Sequence, residues 1–203
     1  MNRKYFLQFC IVFLFFQARY LAQLSGVYTI NNTISASVTN YTSFSAFASA
    51  LNSSGISGPV TVNVLTNGTF ISQVDFTQPA GVSSTNTITI NGNGATLTFG
   101  ASSSASPFTM RLSGADYMTI NNLNLVGTGT SYAHACHLWS GANNNTFNNC
   151  TFTSPIVGTG TGLCPFSISG SGTAAASAGN SGNNNVVNSC TMTGGYYSTV
   201  FYG

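Results

Sequence analysis

The chain has 203 residues, of which 43% are hydrophobic and only 3% are charged. Enough apolar side chains are present for a core, so the low charge does not indicate a disordered chain, and the length suits one domain. Three of the four basic residues, Arg3, Lys4 and Arg19, lie near the start, and the scarcity of positive charge beyond them disfavours nucleic-acid binding.

The first residues have the pattern of a targeting segment. Arg3 and Lys4 precede the apolar run 5–16, and a small residue, Ala22, ends the segment. This order predicts a secretory signal peptide over residues 1–22, cut after Ala22. The alternative is an uncleaved membrane anchor, but the apolar run is shorter than the roughly 20 residues that span a bilayer. We therefore expect a secreted or outer-surface protein with no membrane span after cleavage.

A helix is predicted after an extended segment at residues 23–40. Ser43 is a candidate N-cap, and Gly55 ends the pattern. The apolar residues between them have helical spacing: Phe44, Phe47, Ala48 and Leu51. We expect a helix at about 43–51 within an N-terminal cap of residues 23–58. Its expected role is to cover the open end of a stack of coils, where edge groups are otherwise unpaired.

From Pro59 onward the hydrophobic period changes to two. Val60, Val62 and Val64 alternate with polar residues, which is typical of a half-buried strand. Similar short alternations follow, separated by turns such as Asn67-Gly68. Their apolar residues are Phe70, Val74, Phe76, Ile88, Ile90, Leu97, Phe99, Phe108, Met110 and Leu112.

Three later stretches align with one another without gaps: residues 113–125, 140–152 and 180–192. Self-similarity at this spacing is the mark of a solenoid. The apolar columns are Ile120, Phe147 and Val187; Leu123, Cys150 and Cys190; and Leu125, Phe152 and Met192. The polar columns at turns are Asp116, Asn143 and Asn183; and Asn121, Asn148 and Asn188. Extending the alignment places His137 and Trp139 opposite Met110 and Leu112, in the core, and makes residues 171–179 an inserted loop.

Coils of short strands predict an all-β parallel β-helix over residues 59–203. The apolar columns fill its interior, and strands of successive coils pair in parallel. Asn suits the turns because it tolerates the left-handed backbone region. Stacked Asn side chains can also hydrogen-bond from coil to coil.

Four cysteines follow the leader. Cys150 and Cys190 hold one repeat position, so adjacent coils place them about 4.8 Å apart, within the Cα distance that a disulfide tolerates. Because successive side chains on one face point the same way, we favour a stack of reduced thiols over a disulfide. Cys136 and Cys164 are a second candidate pair with less support.

Few side chains could carry chemistry. After the leader, Asp75 and Asp116 are the only carboxylate side chains and Arg111 is the only basic one besides two histidines. Glycoside hydrolysis needs two facing carboxylates and calcium needs several oxygen anions, whereas Asp116 falls in a turn column. His134 and His137 lack the further ligands that zinc requires. We therefore predict no catalytic, metal or cofactor site in this segment.

The chain resembles the secreted right-handed parallel β-helix proteins of the pectin-lyase-like superfamily, of the type found on Bacteroidetes. The stretches that carry the resemblance are residues 58–70, 85–90, 113–120 and 142–150. The resemblance implies a right-handed helix of coils, continued by further coils and a sorting domain, so that residues 1–203 form an N-terminal fragment. An enzyme whose catalytic residues lie beyond Gly203, a polysaccharide lyase or glycoside hydrolase, is the first alternative.

The expected role is structural, adhesive or carbohydrate-contacting, with a polysaccharide or another cell-surface component as partner. The candidate contact residues are Arg111, Tyr132, Tyr196 and Tyr197. Ice binding is the second alternative, because pairs of outward threonines flank single inward apolar residues. These pairs are Thr87 and Thr89, Thr96 and Thr98, Thr151 and Thr153, and Thr191 and Thr193, with the row broken at Asn124 and Val126.

Overall fold

A computed structural model describes residues 22–202. The predicted fold class is confirmed, because these residues form an all-β parallel β-helix of about six turns with one short helix. The predicted signal peptide lies outside the described residues except for Ala22. Within residues 22–202, no helix is long and apolar enough to cross a membrane.

From β3 onward each coil adds one strand to each of three parallel sheets, and β1 and β2 extend the first sheet. In chain order the elements are β1 (Leu24–Ile30), β2 (Asn40–Tyr41), α1 (Phe44–Ser54), β3 (Ile56–Val64), β4 (Thr69–Ile71), β5 (Val74–Thr77), β6 (Ile88–Asn91), β7 (Thr96–Phe99), β8 (Phe108–Ser113), β9 (Met118–Asn121), β10 (Asn124–Gly127), β11 (Ala133–Trp139), β12 (Thr146–Asn148), β13 (Thr151–Ser154), β14 (Leu163–Ile168), β15 (Val186–Asn188), β16 (Thr191–Gly194) and β17 (Thr199–Phe201). Sheet A has the order β15-β12-β9-β6-β3-β1-β2, sheet B the order β16-β13-β10-β7-β4, and sheet C the order β17-β14-β11-β8-β5.

The core lies between the three sheets. Ile120 of β9 lies opposite Phe147 of β12, which lies opposite Val187 of β15. In sheet B the same stacking joins Leu125, Phe152 and Met192. Rings from all three sheets meet inside one coil, with the centroids of Phe147, Phe152 and Phe166 5.0 to 5.8 Å apart. Period-two alternation therefore places one side of every strand in a continuous column of apolar side chains.

The corners are built on residues with left-handed backbone conformation. At the corner between sheets A and B, Asn122, Asn149 and Ser189 have φ between 50° and 52°. At the corner between sheets C and A, the corresponding residues are Tyr117, Asn144 and Asn184. Asn tolerates this region better than most residues. Each left-handed residue directly follows one of the predicted polar columns, so the columns themselves lie one position before the corner residue.

Helix α1 covers the N-terminal end of the stack. The Ser43 side chain accepts a hydrogen bond from the Ala46 amide at 3.1 Å, as an N-cap does. Phe44 and Phe47 are fully buried and pack edge-on against Phe70 and Phe76. The helix runs to Ser54, three residues beyond the predicted end, because it stops only at Gly55, which has φ of 67°. That conformation favours glycine.

The predicted position of His137 and Trp139 is wrong by one residue. Cys136 and Leu138 lie opposite Met110 and Leu112, whereas His137 lies opposite Arg111 and Trp139 lies opposite Ser113. The turn after β11 contains one residue more than the turn after β8. That extra residue is Ser140, which has φ of 58° and precedes the left-handed Gly141. The two rings are therefore on the outer side of sheet C rather than in the core.

Candidate functional site

The described residues with charged or imidazole side chains collect mainly on the outer side of sheet C, beneath the segment 169–185 that joins β14 to β15. We call this surface the covered face and define it by Asp75, Phe108, Arg111, Ser113, His134, His137, Trp139 and Ser167. Arg111 and Ser113 alternate along β8 with the buried Met110 and Leu112. The covered face is thus the side of sheet C that points away from the core.

Strand β11 departs from regular side-chain alternation within this face. In a regular strand, residues three positions apart point to opposite sides, yet the His134 and His137 rings contact each other with centroids 4.8 Å apart. Ala135 and the adjacent Cys136 both belong to the core. The interrupted alternation places both imidazoles on the outer side.

An ion pair forms the polar centre of the covered face. Asp75 of β5 lies opposite Arg111 of β8, and Arg111 Nη2 and Nε donate to Asp75 Oδ2 at 2.5 and 3.2 Å. Ser113 donates to Asp75 Oδ1 at 2.6 Å and accepts from Trp139 Nε1 at 2.8 Å. The Arg111 guanidinium also lies 4.0 Å from the centre of the Phe108 ring, a cation–π geometry. Both carboxylate oxygens of Asp75 are therefore engaged by neighbouring side chains.

The two histidines form a fully buried pair. Their Nδ1 atoms are 2.8 Å apart, so one donates and the other accepts. Burial lowers the pKa of His134 to about 4. Burial lowers the pKa of His137 to about 3, and repulsion by His134 and Arg111 adds to this, partly opposed by the Ser171 backbone. Both imidazoles are neutral at pH 7 in the folded protein.

The segment 169–185 closes over these side chains. The Gly172 carbonyl accepts from Arg111 Nη1 at 2.9 Å, and a Cβ atom on Gly172 would come within 2.7 Å of the Trp139 ring. Among the described residues, the Nε2 atoms of His134 and His137 and the Oγ atom of Ser167 are buried without a hydrogen-bond partner. The Ser171 backbone lies close to His137 and partly opposes the lowering of its pKa, but no hydrogen bond joins the two residues.

The covered face and the second aspartate are separate. Asp116 lies at the corner between sheets C and A, where its Oδ1 accepts from the Asn143 amide at 2.6 Å. The Asp116 amide donates to Gln78 Oε1, and the Asn183 amide donates to Asn143 Oδ1 at 2.7 Å. The predicted turn column is thus a chain of side-chain-to-backbone bonds between coils. Within residues 22–202, no group of three or more His, Cys, Asp or Glu side chains is arranged to hold a metal ion.

The corner between sheets C and A also contains an amide column, buried at Asn145 and half-buried at Asn185, that the sequence reasoning missed. Asn145 Oδ1 accepts from the Met118 amide at 3.0 Å, and its Nδ2 donates to the Ala115 carbonyl at 2.9 Å. Asn185 holds the equivalent place in the next coil, donating to the Ala142 carbonyl at 2.8 Å. The recurrent Asn143-Asn144-Asn145 and Asn183-Asn184-Asn185 triplets were the available signal.

The four candidate contact residues do not share one site. Arg111 is in the ion pair of sheet C. Tyr132 lies in the connection from β10 to β11, beside a cleft of about 360 Å³. Tyr196 and Tyr197 lie in the connection from β16 to β17, with their ring centroids 4.8 Å apart. The tyrosines therefore belong to corner segments of different coils.

The cysteines stack without forming a bond. All four described cysteines are free, and the Cys150 amide donates to Cys190 Sγ at 3.3 Å. Burial raises the pKa of Cys150 to about 11 and that of Cys164 to about 12. Cys136 lies opposite Phe166, whereas Cys164 lies opposite His134, so these two thiols occupy different rows.

The outer side of sheet A has a continuous amide ladder. Its members are Asn63, Asn91, Asn121, Asn148 and Asn188. From Asn91 onward, each Nδ2 donates to the Oδ1 of the preceding coil, at 2.8, 2.9, 2.9 and 3.4 Å along the ladder. The sequence alignment found the last three members. The first two share the Thr-x-Asn pattern of Asn121 and Asn148, in Thr61-Val62-Asn63 and Thr89-Ile90-Asn91, which was the signal available for them.

A groove of about 350 Å³ lies along the first three rungs of this ladder. We call it the ladder groove and define it by its lining residues Asn63, Val64, Leu65, Asn91, Asn93, Asn121 and Asn122. Asn93 and Asn122 are exposed corner residues, and Leu65 has 53% of its surface exposed. The groove therefore combines several amides with one apolar side chain.

Sheet B presents the threonine rows. Thr69, Thr96, Asn124, Thr151 and Thr191 lie in register, and Ile71, Thr98, Val126, Thr153 and Thr193 form a second row. The predicted pair Thr87 and Thr89 does not belong to these rows, because Thr89 is in β6 of sheet A, opposite Thr61 and Thr119. Thr69, which the sequence reasoning did not place, extends the first row instead.

Comparisons with protein-family models, curated proteins and solved structures found no match to this chain.

Proposed function

We propose that the chain is an exported β-helix module of the pectin-lyase-like type found on Bacteroidetes, with a structural and glycan-contacting role at the cell surface and no catalysis in this segment. The observation that supports this most is the chemistry of the outer sides of sheets A and B. Their in-register columns consist of hydroxyl and amide side chains, with a few apolar residues. Such groups hydrogen-bond to the hydroxyl groups of neutral sugars without the desolvation cost of a charge.

The covered face is consistent with a structural role for the charged residues. The carboxylate of Asp75 is held by Arg111 and Ser113. Hydrolysis of a glycosidic bond by the usual route needs a second carboxylate across the bond, and Asp116 instead holds the backbone of the next coil. We therefore assign glycan contact to the uncharged faces.

Export and glycan contact are tested together on the protein expressed from its full sequence. For export, we expect the mature protein to begin at Gln23 and to be cleaved by protease added to intact cells. For glycan contact, we expect the protein to bind neutral polysaccharides on a glycan array. Retention inside the cell with an intact N-terminus contradicts the surface assignment. An array with no bound glycan contradicts the glycan-contacting role.

Ice binding is a second candidate because sheet B presents two parallel rows of threonine. Neighbouring strands are about 4.8 Å apart and alternate residues on one strand about 6.7 Å apart, so Thr96, Thr98, Thr151 and Thr153 form part of a regular hydroxyl lattice. We expect thermal hysteresis that Thr153→Lys abolishes and Thr119→Lys, on sheet A, retains. Absence of hysteresis in the unmodified protein removes this candidate.

A further inference from the structure

We propose that the ladder groove binds a neutral linear polysaccharide whose chain runs parallel to the solenoid axis, with successive sugars on successive coils. This inference rests on the glycan-contacting role proposed above and assigns it to one surface. The hydrogen-bonding capacity, the repeat, the charge and the rigidity of that groove each support it.

Every interior amide of the ladder has unused hydrogen-bonding capacity. Asn91 donates one N–H to Asn63 and accepts one bond from Asn121. A carboxamide has two N–H donors and two lone pairs on oxygen. One donor and one acceptor therefore remain on each interior side chain. A donor and an acceptor side by side complement two neighbouring sugar hydroxyls, each of which can both donate and accept.

The repeat of the ladder suits a polymer rather than a single small ligand. Successive rungs lie about 4.8 Å apart, since neighbouring strands have that spacing, and this is close to the length of one sugar ring. The groove crosses three coils, with Asn63, Asn91 and Asn121 at equivalent positions. A linear polysaccharide on this axis meets the same amide at each step.

The groove lining contains no charged side chain. The ion pair of Asp75 and Arg111 belongs to sheet C, whereas the ladder belongs to sheet A. This favours a neutral glycan over an acidic one, because an acidic chain gains no compensating cation. Leu65, which is 53% exposed, borders the amides and offers an apolar contact for the C–H face of a sugar ring.

The ladder is also ordered before any ligand binds. The bonds among Asn63, Asn91, Asn121 and Asn148 are 2.8 to 2.9 Å long. Side chains fixed in this way lose little further conformational freedom on association, which lowers the entropic cost of binding. An extended peptide is a poorer match, since peptides usually pair with a sheet edge, and the ladder lies on a sheet face.

The test uses the protein expressed from its full sequence, with affinity electrophoresis and calorimetry against a soluble β-glucan, a xylan and a mannan. We expect at least one of these to bind, and Asn91→Ala to weaken that binding by about tenfold or more. Leu65→Asp, which adds a charge to the groove without altering the ladder, is expected to weaken it similarly. Thr153→Ala on sheet B is expected to leave it unchanged.

Asn148→Ala is the matched control for structural damage. Asn148 also makes two ladder bonds, to Asn121 and Asn188, but it lies outside the groove lining. We expect both Asn→Ala variants to lose thermal stability and Asn91→Ala to lose clearly more binding, because Asn91 lies in the groove lining and Asn148 only adjoins it. Equal loss of binding in both overturns the site. Binding that survives Asn91→Ala and Leu65→Asp overturns the site but not the glycan-contacting role, whereas no binding by the unmodified protein removes both.

Discussion

The covered face of sheet C and the amide ladder of sheet A are two outer surfaces of the same solenoid with opposite designs. The covered face has an ion pair, two neutral imidazoles and a strand with interrupted alternation, and segment 169–185 packs against Arg111 and Trp139. The ladder repeats one side chain in five coils and, among the described residues, has no cover comparable to that segment. Most charged and imidazole side chains of the described residues therefore lie on sheet C, where the two histidines are fully buried and the ion pair is partly exposed. The regular surface remains available for contact.

The largest expected difference between the two surfaces is their response to acid. The folded-state pKa values of His134 and His137 are lowered to about 4 and about 3, below the value near 6.5 of an unfolded chain. The unfolded chain therefore binds more protons below pH 6.5, and stability falls as pH falls towards the folded values. We expect the free energy of unfolding to drop by roughly 2–3 kcal/mol per histidine between pH 7 and pH 4.5.

Urea unfolding at a series of pH values measures this loss. The double variant H134F/H137F is expected to flatten the profile between pH 6.5 and pH 4.5, whereas N121A on the ladder is expected to shift the profile without changing its shape. A wild-type profile that is flat over this range contradicts the buried neutral pair.

The next largest effect is expected from Arg111→Ala. This change removes the bonds to Asp75 and to the Gly172 carbonyl. The side chains of Arg111 and Asp75 are 15% and 32% exposed, so the cost lies between that of a surface pair and that of a buried pair, about 2 kcal/mol. Because Arg111 ties segment 169–185 to the sheet, limited proteolysis there is expected to accelerate.

Two further substitutions, Arg111→Lys and Asp75→Asn, show which interaction of Arg111 causes the loss of stability. We expect Arg111→Lys to keep part of the stability, because the charge remains while the paired N–H donors are lost. A double-mutant cycle with Asp75→Asn is expected to show coupling. Independent, additive effects of the two substitutions indicate that Arg111 acts through Phe108 and Trp139 instead.

The sequence predicted the ladder better than the covered face for a physical reason. Asn121, Asn148 and Asn188 are visible because each coil repeats its own local spacing. The ion pair depends on the register between β5 and β8, which are separated by a complete coil with corner segments of variable length. One extra residue, Ser140, was enough to move His137 out of the predicted core position. The Thr-x-Asn pattern at Asn63 and Asn91 is local as well, so the amino-acid sequence alone is sufficient to extend the ladder to those two residues.

A smaller effect is expected from breaking one rung of the ladder. Asn121→Ala removes two bonds of 2.9 Å, and each such bond contributes about 0.5–1.5 kcal/mol. Because the remaining partners stay partly exposed and can bind water, we expect a loss of about 1 kcal/mol. Asn188→Ala is the comparison at the end of the ladder, where one bond of 3.4 Å is lost from an exposed residue. Equal losses of stability at the two positions, measured by urea unfolding, contradict the assignment of the Asn121 effect to its two ladder bonds.

The smallest effect is expected at the corner beside the ladder. Ser189 has φ of 52° in the column where the other coils have Asn122 and Asn149, and Asn adopts this left-handed conformation more readily than Ser does. Ser189→Asn is therefore expected to raise the free energy of unfolding by about 0.5 kcal/mol, and Asn149→Ser to lower it by a similar amount. Opposite signs in the two unfolding measurements show that the backbone conformation of the corner residue, and not the ladder bond beside it, determines whether Asn or Ser is more stable there. A loss of stability in both variants shows instead that each corner residue is specific to the contacts of its own coil. The corners would then not be equivalent, and the contrast between a regular sheet A and an irregular sheet C would not hold.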